Sequence, residues 1–330
     1  MRNTVPLLLA ALFMAAGCAP TVAVMGPPVA EALLADDHIL TADAARLPLR
    51  IWKPAGTPTA ALVALHGFND YSKSFEDPGE FWAEKGLVTY AYDQRGFGEA
   101  PDHGLWAGTE TLVEDLRVAV RLIRERHPGI PVYLVGESMG GAIILTALGT
   151  DNPPIVNGVV LAAPAVRGWR AIPWYQRAAL GLVAHTVPWV TATGRGFKVR
   201  PSDNIDMLRG LGRDPLVIKA TRFDSIYGLV TVMDEALDAA PRLSVPALVM
   251  YGKIEDLVPR KGREVLLGAL PADGDWRLAE YSKGYHMLLR DLNAAIVLTD
   301  IVAWSADPTA PLPSGEERPD RKLDPPPRKD

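Results

Sequence analysis

Ser138 stands in the string GESMGG, with Gly136 two places before it and Gly140 two places after. The apolar run VYLVG at 132–136 leads into it and the helix-forming run GAIILTAL at 141–148 leads away. A serine at such a strand-to-helix junction sits in a tight, strained turn that exposes its hydroxyl, and small neighbours keep adjacent chain from clashing. That is a nucleophile elbow. A neutral hydroxyl is a weak nucleophile, so a base must take its proton and an acid must hold that base in the right tautomer. The expected chain order is nucleophile, acid, histidine. Of the six histidines, His286 alone follows the last expected strand, in KGYHMLLRD, which makes it the candidate base. The acid should follow the strand before, where ALVMYGKIEDLVP offers Glu255 and Asp256 side by side; only one can face the histidine. The charge developing on an attacked carbonyl needs two backbone N–H donors. Met139, next after the serine, is the candidate for one, and Phe68 in HGFND, just past the first buried strand, for the other. His66 in the same string reads as a hydrogen-bonder shaping that turn.

These residues need a scaffold, and the sequence supplies its pattern. Short apolar runs at 60–66, 87–93, 132–136, 158–164, 247–252 and 276–281 are nearly continuous, as expected of parallel strands buried on both faces. Between them lie helical patterns. In 111–127, Leu112, Leu116, Val120 and Ile123 make one stripe, acids sit near the start, arginines near the end, and Pro128-Gly129 stops the run. Strand and helix in alternation predict an α/β fold with a doubly wound, mostly parallel sheet. Residues 38–53 predict an antiparallel strand pair at its edge. About eighty residues separate the run ending at Pro164 from the one beginning at Ala247. Loops in α/β units run to roughly 2–6 residues, so the interval reads as a helical cap inserted at about 165–240. Its first half mixes Trp169, Trp174, Tyr175, Leu180, Val183, Trp189 and Val190 with Arg167, Arg170 and Arg177, a composition suited to acyl chains and anionic head groups.

Length and composition bound the rest. The 330 residues are 48% hydrophobic, enough for one substantial core, and the net charge of −5 lacks the basic excess of nucleic-acid binders. The single cysteine, Cys18, leaves no disulfide framework and no thiolate-rich metal site. It ends a charged start, a short apolar run at 5–16 and a small-residue stretch, AAGC, which together predict a signal peptide over 1–17. The run is too short to span a bilayer, which takes ~20 apolar residues. Residues 18–35, rich in Pro, Ala and Val, read as a tether, and residues 307–330, dominated by Pro and mixed charge, as a disordered tail. The folded domain then runs over 36–306.

Two resemblances extend this reading. AAGC resembles the lipobox of bacterial lipoproteins, which implies acylation of Cys18, a membrane anchor and a place in the bacterial cell envelope, on the outer membrane in a Gram-negative cell. HGFND, YDQRGFGEA, GESMGGAI, the stretch from RDPLVIKATRFDS to KIEDLVP, and GYHMLLRD, in this order, resemble the monoacylglycerol lipase and lysophospholipase group of the α/β-hydrolases, the serine aminopeptidase S33 type. The likeness implies the α/β-hydrolase fold and a carboxylic ester hydrolase acting on single-chain lipids, with no metal or organic cofactor. It implies a triad of Ser138, the acid near 255, and His286. In the group's frame, counted from Gly252, Glu255 fills the acid slot, with Asp256 the alternative. Asp93 and Arg95 would brace the loop beside the site. An aminopeptidase or general esterase on the same triad, and a non-catalytic envelope protein using the fold as a binding module, are the competing readings.

Overall fold

The computed structural model describes residues 19–194 and 199–325. The expected signal peptide over 1–17, Cys18 and the last five residues lie outside the described residues. In chain order the strands are β1 (Leu33–Leu34), β2 (His38–Leu40), β3 (Arg46–Trp52), β4 (Ala60–Leu65), β5 (Leu87–Tyr92), β6 (Val132–Glu137), β7 (Gly158–Ala162), β8 (Thr191–Thr193), β9 (Ala220–Arg222), β10 (Ala247–Gly252) and β11 (Trp276–Tyr281). The α-helices are α1 (Glu76–Glu84), α2 (Thr109–Arg126), α3 (Met139–Leu148), α4 (Trp174–Thr186), α5 (Ile205–Arg213), α6 (Phe223–Ala239), α7 (Arg260–Ala269) and α8 (Ala294–Ala306).

Nine of these strands make one sheet in the order β1-β2-β3-β5-β4-β6-β7-β10-β11. The first three are antiparallel, as is the β3–β5 pairing; from β5 onward every neighbour is parallel. Helices cover both faces of the parallel part, which is why β4, β5, β6, β7 and β10 are buried at every residue and read as unbroken apolar runs. The predicted stripe of α2 is buried against this sheet. From β4 the chain steps outward to β5, then returns to the other side of β4 as β6. This reversal opens a crevice beyond the carboxyl ends of β4 and β6, the place where doubly wound sheets hold ligands.

The insertion between β7 and β10 divides in two. Its first part, α4, the β8–β9 ribbon and α5, stands out from the body: α4 buries only Ala184 and α5 buries nothing fully. Its last part, α6, belongs to the body. It lies against α3 so closely that a Cβ on Gly149 would come within 2.5 Å of the Ala239 Cβ. The cap is therefore smaller than the 165–240 predicted.

Both chain ends differ from expectation. Within the tether, the Ala23 N–H donates to the Trp106 carbonyl (2.8 Å), and Val29 and Ala30 donate to Ala42. Residues 33–34 form β1. This segment is held by backbone bonds while its valines stay exposed, so hydropathy could not reveal it. The tail over 307–325 likewise packs along β11, burying Leu312 and Leu323. Its many charges, which argued for disorder, find partners on the body: Arg277 with Glu317, and Lys253 with Asp324.

Candidate active site

Ser138 carries φ +52° and ψ −111°, a conformation that costs a non-glycine residue ~1–3 kcal/mol. The surroundings enforce it. The Ser138 N–H donates to the Ala162 carbonyl and its own carbonyl accepts from Ala165, both at 2.9 Å. Gly140 lies so near β4 that a Cβ would sit 2.2 Å from the Leu65 carbonyl oxygen. Met139 opens α3, so its N–H is among the donors that a helix leaves unpaired at its start. Phe68 follows Gly67 beyond β4, and both line the same cavity as Ser138. The two expected oxyanion donors thus flank the serine.

The turn after β10 carries both candidate acids, Glu255 and Asp256. One Glu255 oxygen, Oε1, accepts the N–H groups of Leu257 (2.6 Å) and Val258 (3.0 Å), which pins the carboxylate in its own turn. The other, Oε2, lies 2.7 Å from His286 Nδ1. Asp256 points to solvent and takes no part. The acid turn and the histidine loop are pressed together, for a Cβ on Gly252 would stand 2.2 Å from the Gly284 carbonyl oxygen.

Burial works against charge on both partners, yet each holds the other's. Burial alone would raise the Glu255 carboxyl; the neighbouring His286 and the two N–H donors overcome it and leave its pKa below the ordinary carboxylate value. Burial would lower the His286 imidazole, but the Glu255 charge outweighs it and leaves the ring more basic than an ordinary histidine. A neutral His286 that donates from Nδ1 to Glu255 keeps a lone pair on Nε2. His66 behaves as the sequence suggested. Wholly buried and held neutral by that burial, it donates from Nδ1 to the Gly67 carbonyl (2.9 Å) and accepts the Gln94 N–H at Nε2 (3.0 Å). Asp93 accepts the N–H groups of Ser72 and Glu99, and Arg95 is clasped by Asp115 and Asp43, so both brace the loop next to the site.

One cluster escaped the sequence. Arg290, four residues after His286, lies 2.8 Å from Asp70 and 3.0 Å from Glu137, and all three are buried. Asp70 follows the Phe68 loop and Glu137 precedes Ser138, so one guanidinium staples the oxyanion loop, the elbow and the histidine loop. The only signal was charge inside otherwise apolar motifs. A second stitch joins the cap segment just ahead of α5 to the same loop: Asp291 accepts from Ser202 Oγ (2.6 Å) and the Tyr285 N–H (2.8 Å), and its burial pushes its pKa up to about 6.

Ser138 and His286 open onto a cavity of about 730 Å³ between body and cap. Aliphatic side chains dominate its walls, among them Ile172 and Leu180 from the cap and Ile226, Leu229 and Met233 from α6. The cap aromatics do not fill the role their composition suggested. Trp174, Tyr175 and Trp189 face outward, and Trp169 packs on Tyr227 at 4.8 Å between ring centroids. Among the described residues no group of three or more His, Cys, Asp or Glu side chains forms a metal site.

A parallel sheet with its serine at the switch-point crevice, a histidine held by a carboxylate and an apolar cavity define a serine hydrolase of the α/β-hydrolase fold. The serine aminopeptidase S33 family matches residues 56–293, and the chain belongs to that family, within its monoglyceride lipase group, as a serine ester hydrolase. It is 30% identical to the monoglyceride lipase of Homo sapiens, over 83% of this chain and 91% of that one. It is 25% identical to the monoacylglycerol lipase of Mycolicibacterium smegmatis, over 78% and 92%. Among solved structures, the monoacylglycerol lipase of Paleococcus ferrophilus superposes with a TM-score of 0.66 at 22% identity, over 78% of this chain and 98% of that one. A soluble variant of the Saccharomyces cerevisiae monoglyceride lipase, in complex with a substrate analogue, superposes with 0.68 at 19% identity, over 88% and 99%.

Proposed function

We propose that the protein hydrolyses the acyl ester of single-chain lipids, monoacylglycerol foremost and lysophospholipid second, through an acyl-enzyme on Ser138. The observation that carries this is the 2.7 Å contact between Glu255 and His286 at the edge of an aliphatic cavity onto which Ser138 opens. His286 Nε2 takes the hydroxyl proton as Ser138 Oγ attacks the ester carbonyl, and the Phe68 and Met139 N–H groups hold the oxygen that becomes negative. Glu255 stabilises the imidazolium so formed. That imidazolium returns the proton to the departing alcohol, leaving an acyl-serine; water, deprotonated by the same nitrogen, then releases the fatty acid. The acyl chain lies along the Leu180, Leu229 and Met233 walls. A peptidase reading would need free carboxylates for a substrate ammonium, whereas the buried carboxylates Asp70 and Glu137 already share Arg290.

The test is a panel of monoacylglycerols, lysophospholipids, short nitrophenyl esters and aminoacyl amides, with fluorophosphonate labelling in parallel. Monoacylglycerol should be cleaved fastest, and labelling should vanish in Ser138→Ala. Faster turnover of aminoacyl amides would replace the lipid reading, and unlabelled folded protein would replace the enzymatic one.

We further propose that Cys18 is acylated and anchors the protein to a membrane of the bacterial cell envelope. The AAGC string, after a charged start and a short apolar run, supports this. Cys18→Ser should release the protein from the membrane fraction or block its processing; normal processing with continued membrane attachment would refute the anchor.

A further inference from the structure

The segment after α8 lies outside the span that the family matches, 56–293, yet it touches the two loops that carry the acid and the histidine. Its first contribution is to the sheet edge. Arg318 N–H donates to the Leu278 carbonyl (2.8 Å) and Glu280 N–H to the Glu316 carbonyl (3.0 Å), which pairs the otherwise open side of β11. A cover for an edge strand could stop there. This one continues. Leu323 is buried, and Asp324 reaches Lys253 Nζ at 2.9 Å while its own N–H donates to Glu280 (2.7 Å). Arg260 donates to the Leu323 carbonyl at 3.1 Å and also to that of Asp324. Lys253 and Arg260 are the two ends of the turn that carries Glu255. Glu316 meanwhile accepts from the N–H and hydroxyl of Ser282 (3.2 and 2.6 Å), where the histidine loop begins.

We infer that residues 316–324 form a strap that positions Glu255 against His286, with Lys253, Arg260 and Asp324 as its fasteners. The inference rests on the triad reading above. At its near end the turn is already held, since Lys253 N–H donates to Tyr281 (2.9 Å) and Ile254 N–H to Gly284 (3.0 Å). Its far end, where α7 begins, is where Arg260 grips the strap. The partly exposed Lys253–Asp324 pair and the Arg260 hydrogen bonds each contribute little on their own. Their joint effect on activity is larger because a misplacement of ~1 Å among reacting groups costs on the order of 10²-fold in rate.

The experiment uses the full-length chain and hydrolysis of 4-nitrophenyl butyrate per mole of folded monomer. The triple variant Lys253→Met/Arg260→Met/Asp324→Asn should lose about tenfold in kcat with KM little changed, a fraction of the misplacement cost. Its acid limb in kcat/KM should move down toward the ordinary histidine value, because a loosened Glu255 supports the imidazolium less. Lys253→Arg, which keeps the pair, should retain kcat. Glu317→Gln, which loosens the segment only where it lies beside Arg277, should lower Tm and leave kcat and the acid limb in place. If the triple variant keeps both kcat and the acid limb, or if Glu317→Gln matches its loss, the segment is an edge cover and the strap is wrong. Should the triple variant fail to fold, Lys253→Met and Asp324→Asn singly decide: a drop in kcat with a lowered acid limb supports the strap, and an unchanged profile overturns it. Glu255→Gln, measured alongside, separates the two readings. A dead Glu255→Gln beside a fully active triple variant removes the strap alone, whereas a fully active Glu255→Gln removes the triad reading beneath it.

Discussion

The hydrolase body and the cap are built on opposite principles. In the body, α3 buries all but one of its ten residues and the strands beneath the site are buried throughout. In the cap, α4 leaves Trp174 74% exposed and Leu182 66%, and α5 has no fully buried residue. Every group proposed to move a proton or hold a charge is on the body, fixed by strand ends and by backbone bonds such as those on Glu255 Oε1. The cap contributes cavity wall instead, through Arg167, Ile172, Gln176, Leu180 and Pro201. Chemistry that tolerates little displacement is thus carried by the closely packed region, while the loosely packed one shares the wall of the substrate pocket with α6.

The sharpest way to break that contrast is to remove the nucleophile proposed on the body. Ser138→Ala and His286→Ala should each lower ester hydrolysis by about 10⁴-fold or more, and the double variant should be no worse, because the triad acts as a unit. Additive losses in steady-state kinetics would mean that the two do not work together.

The next largest effect concerns the acid. Glu255→Gln keeps the shape and the bonds to Oε1 but removes the charge beside His286, so kcat should fall by roughly 10³–10⁴-fold while folding is retained. Asp256→Asn should be close to the parent. The pH dependence sharpens the point. The base must be neutral, and Glu255 makes His286 more basic than usual, so kcat/KM should fall as pH drops through a value above the ordinary ~6.5. In Glu255→Gln the residual activity should have its acid limb lower. The pair's contribution to stability follows the same signs. The raised histidine favours the fold below its ordinary pKa and loses this as pH rises through the folded value, while the lowered carboxyl favours it above its own ordinary pKa and loses this on acidification. A parent enzyme whose acid limb lies at or below the ordinary histidine value would contradict the coupling.

Arg290→Met tests whether the body's rigidity is held by the staple. It strips the only cation from Asp70 and Glu137 among the ion pairs described, and breaking a buried pair costs about 3–5 kcal/mol. A large fall in the denaturant midpoint is expected, and a midpoint equal to the parent's would show the staple to be dispensable.

The cap should answer differently. Leu180→Trp in the cap, and Met233→Trp facing it from α6, fill the cavity and should shift preference toward shorter acyl chains by about tenfold in kcat/KM ratio, since each methylene in an apolar pocket contributes ~1–3 kcal/mol. Equal losses across all chain lengths would place the acyl chain elsewhere. Trp174→Ala, at the exposed end of the scale, should change stability by no more than about 0.5 kcal/mol. A marked destabilisation would mean that the cap's outer face is packed after all.

Much of this was legible in order and spacing. The parallel strands announced themselves as unbroken apolar runs because both their faces are covered, and GESMGG betrayed the serine because only glycine fits where Gly140 meets β4. His286 followed from its position after the last strand. What the chain's own order left open was which of two adjacent acids faces it; the choice depends on the direction side chains take in one turn, and that direction is set by the N–H groups of Leu257 and Val258 and the contact of Gly252 with Gly284. Arg290 with Asp70 and Glu137 was equally hidden, since the three are distant in sequence and only the convergence of three loops makes them one cluster. The same holds for both chain ends. Local composition measures what a segment can bury by itself, and residues 19–35 and 307–325 are held instead by backbone bonds and ion pairs to a surface that exists only once the sheet has formed.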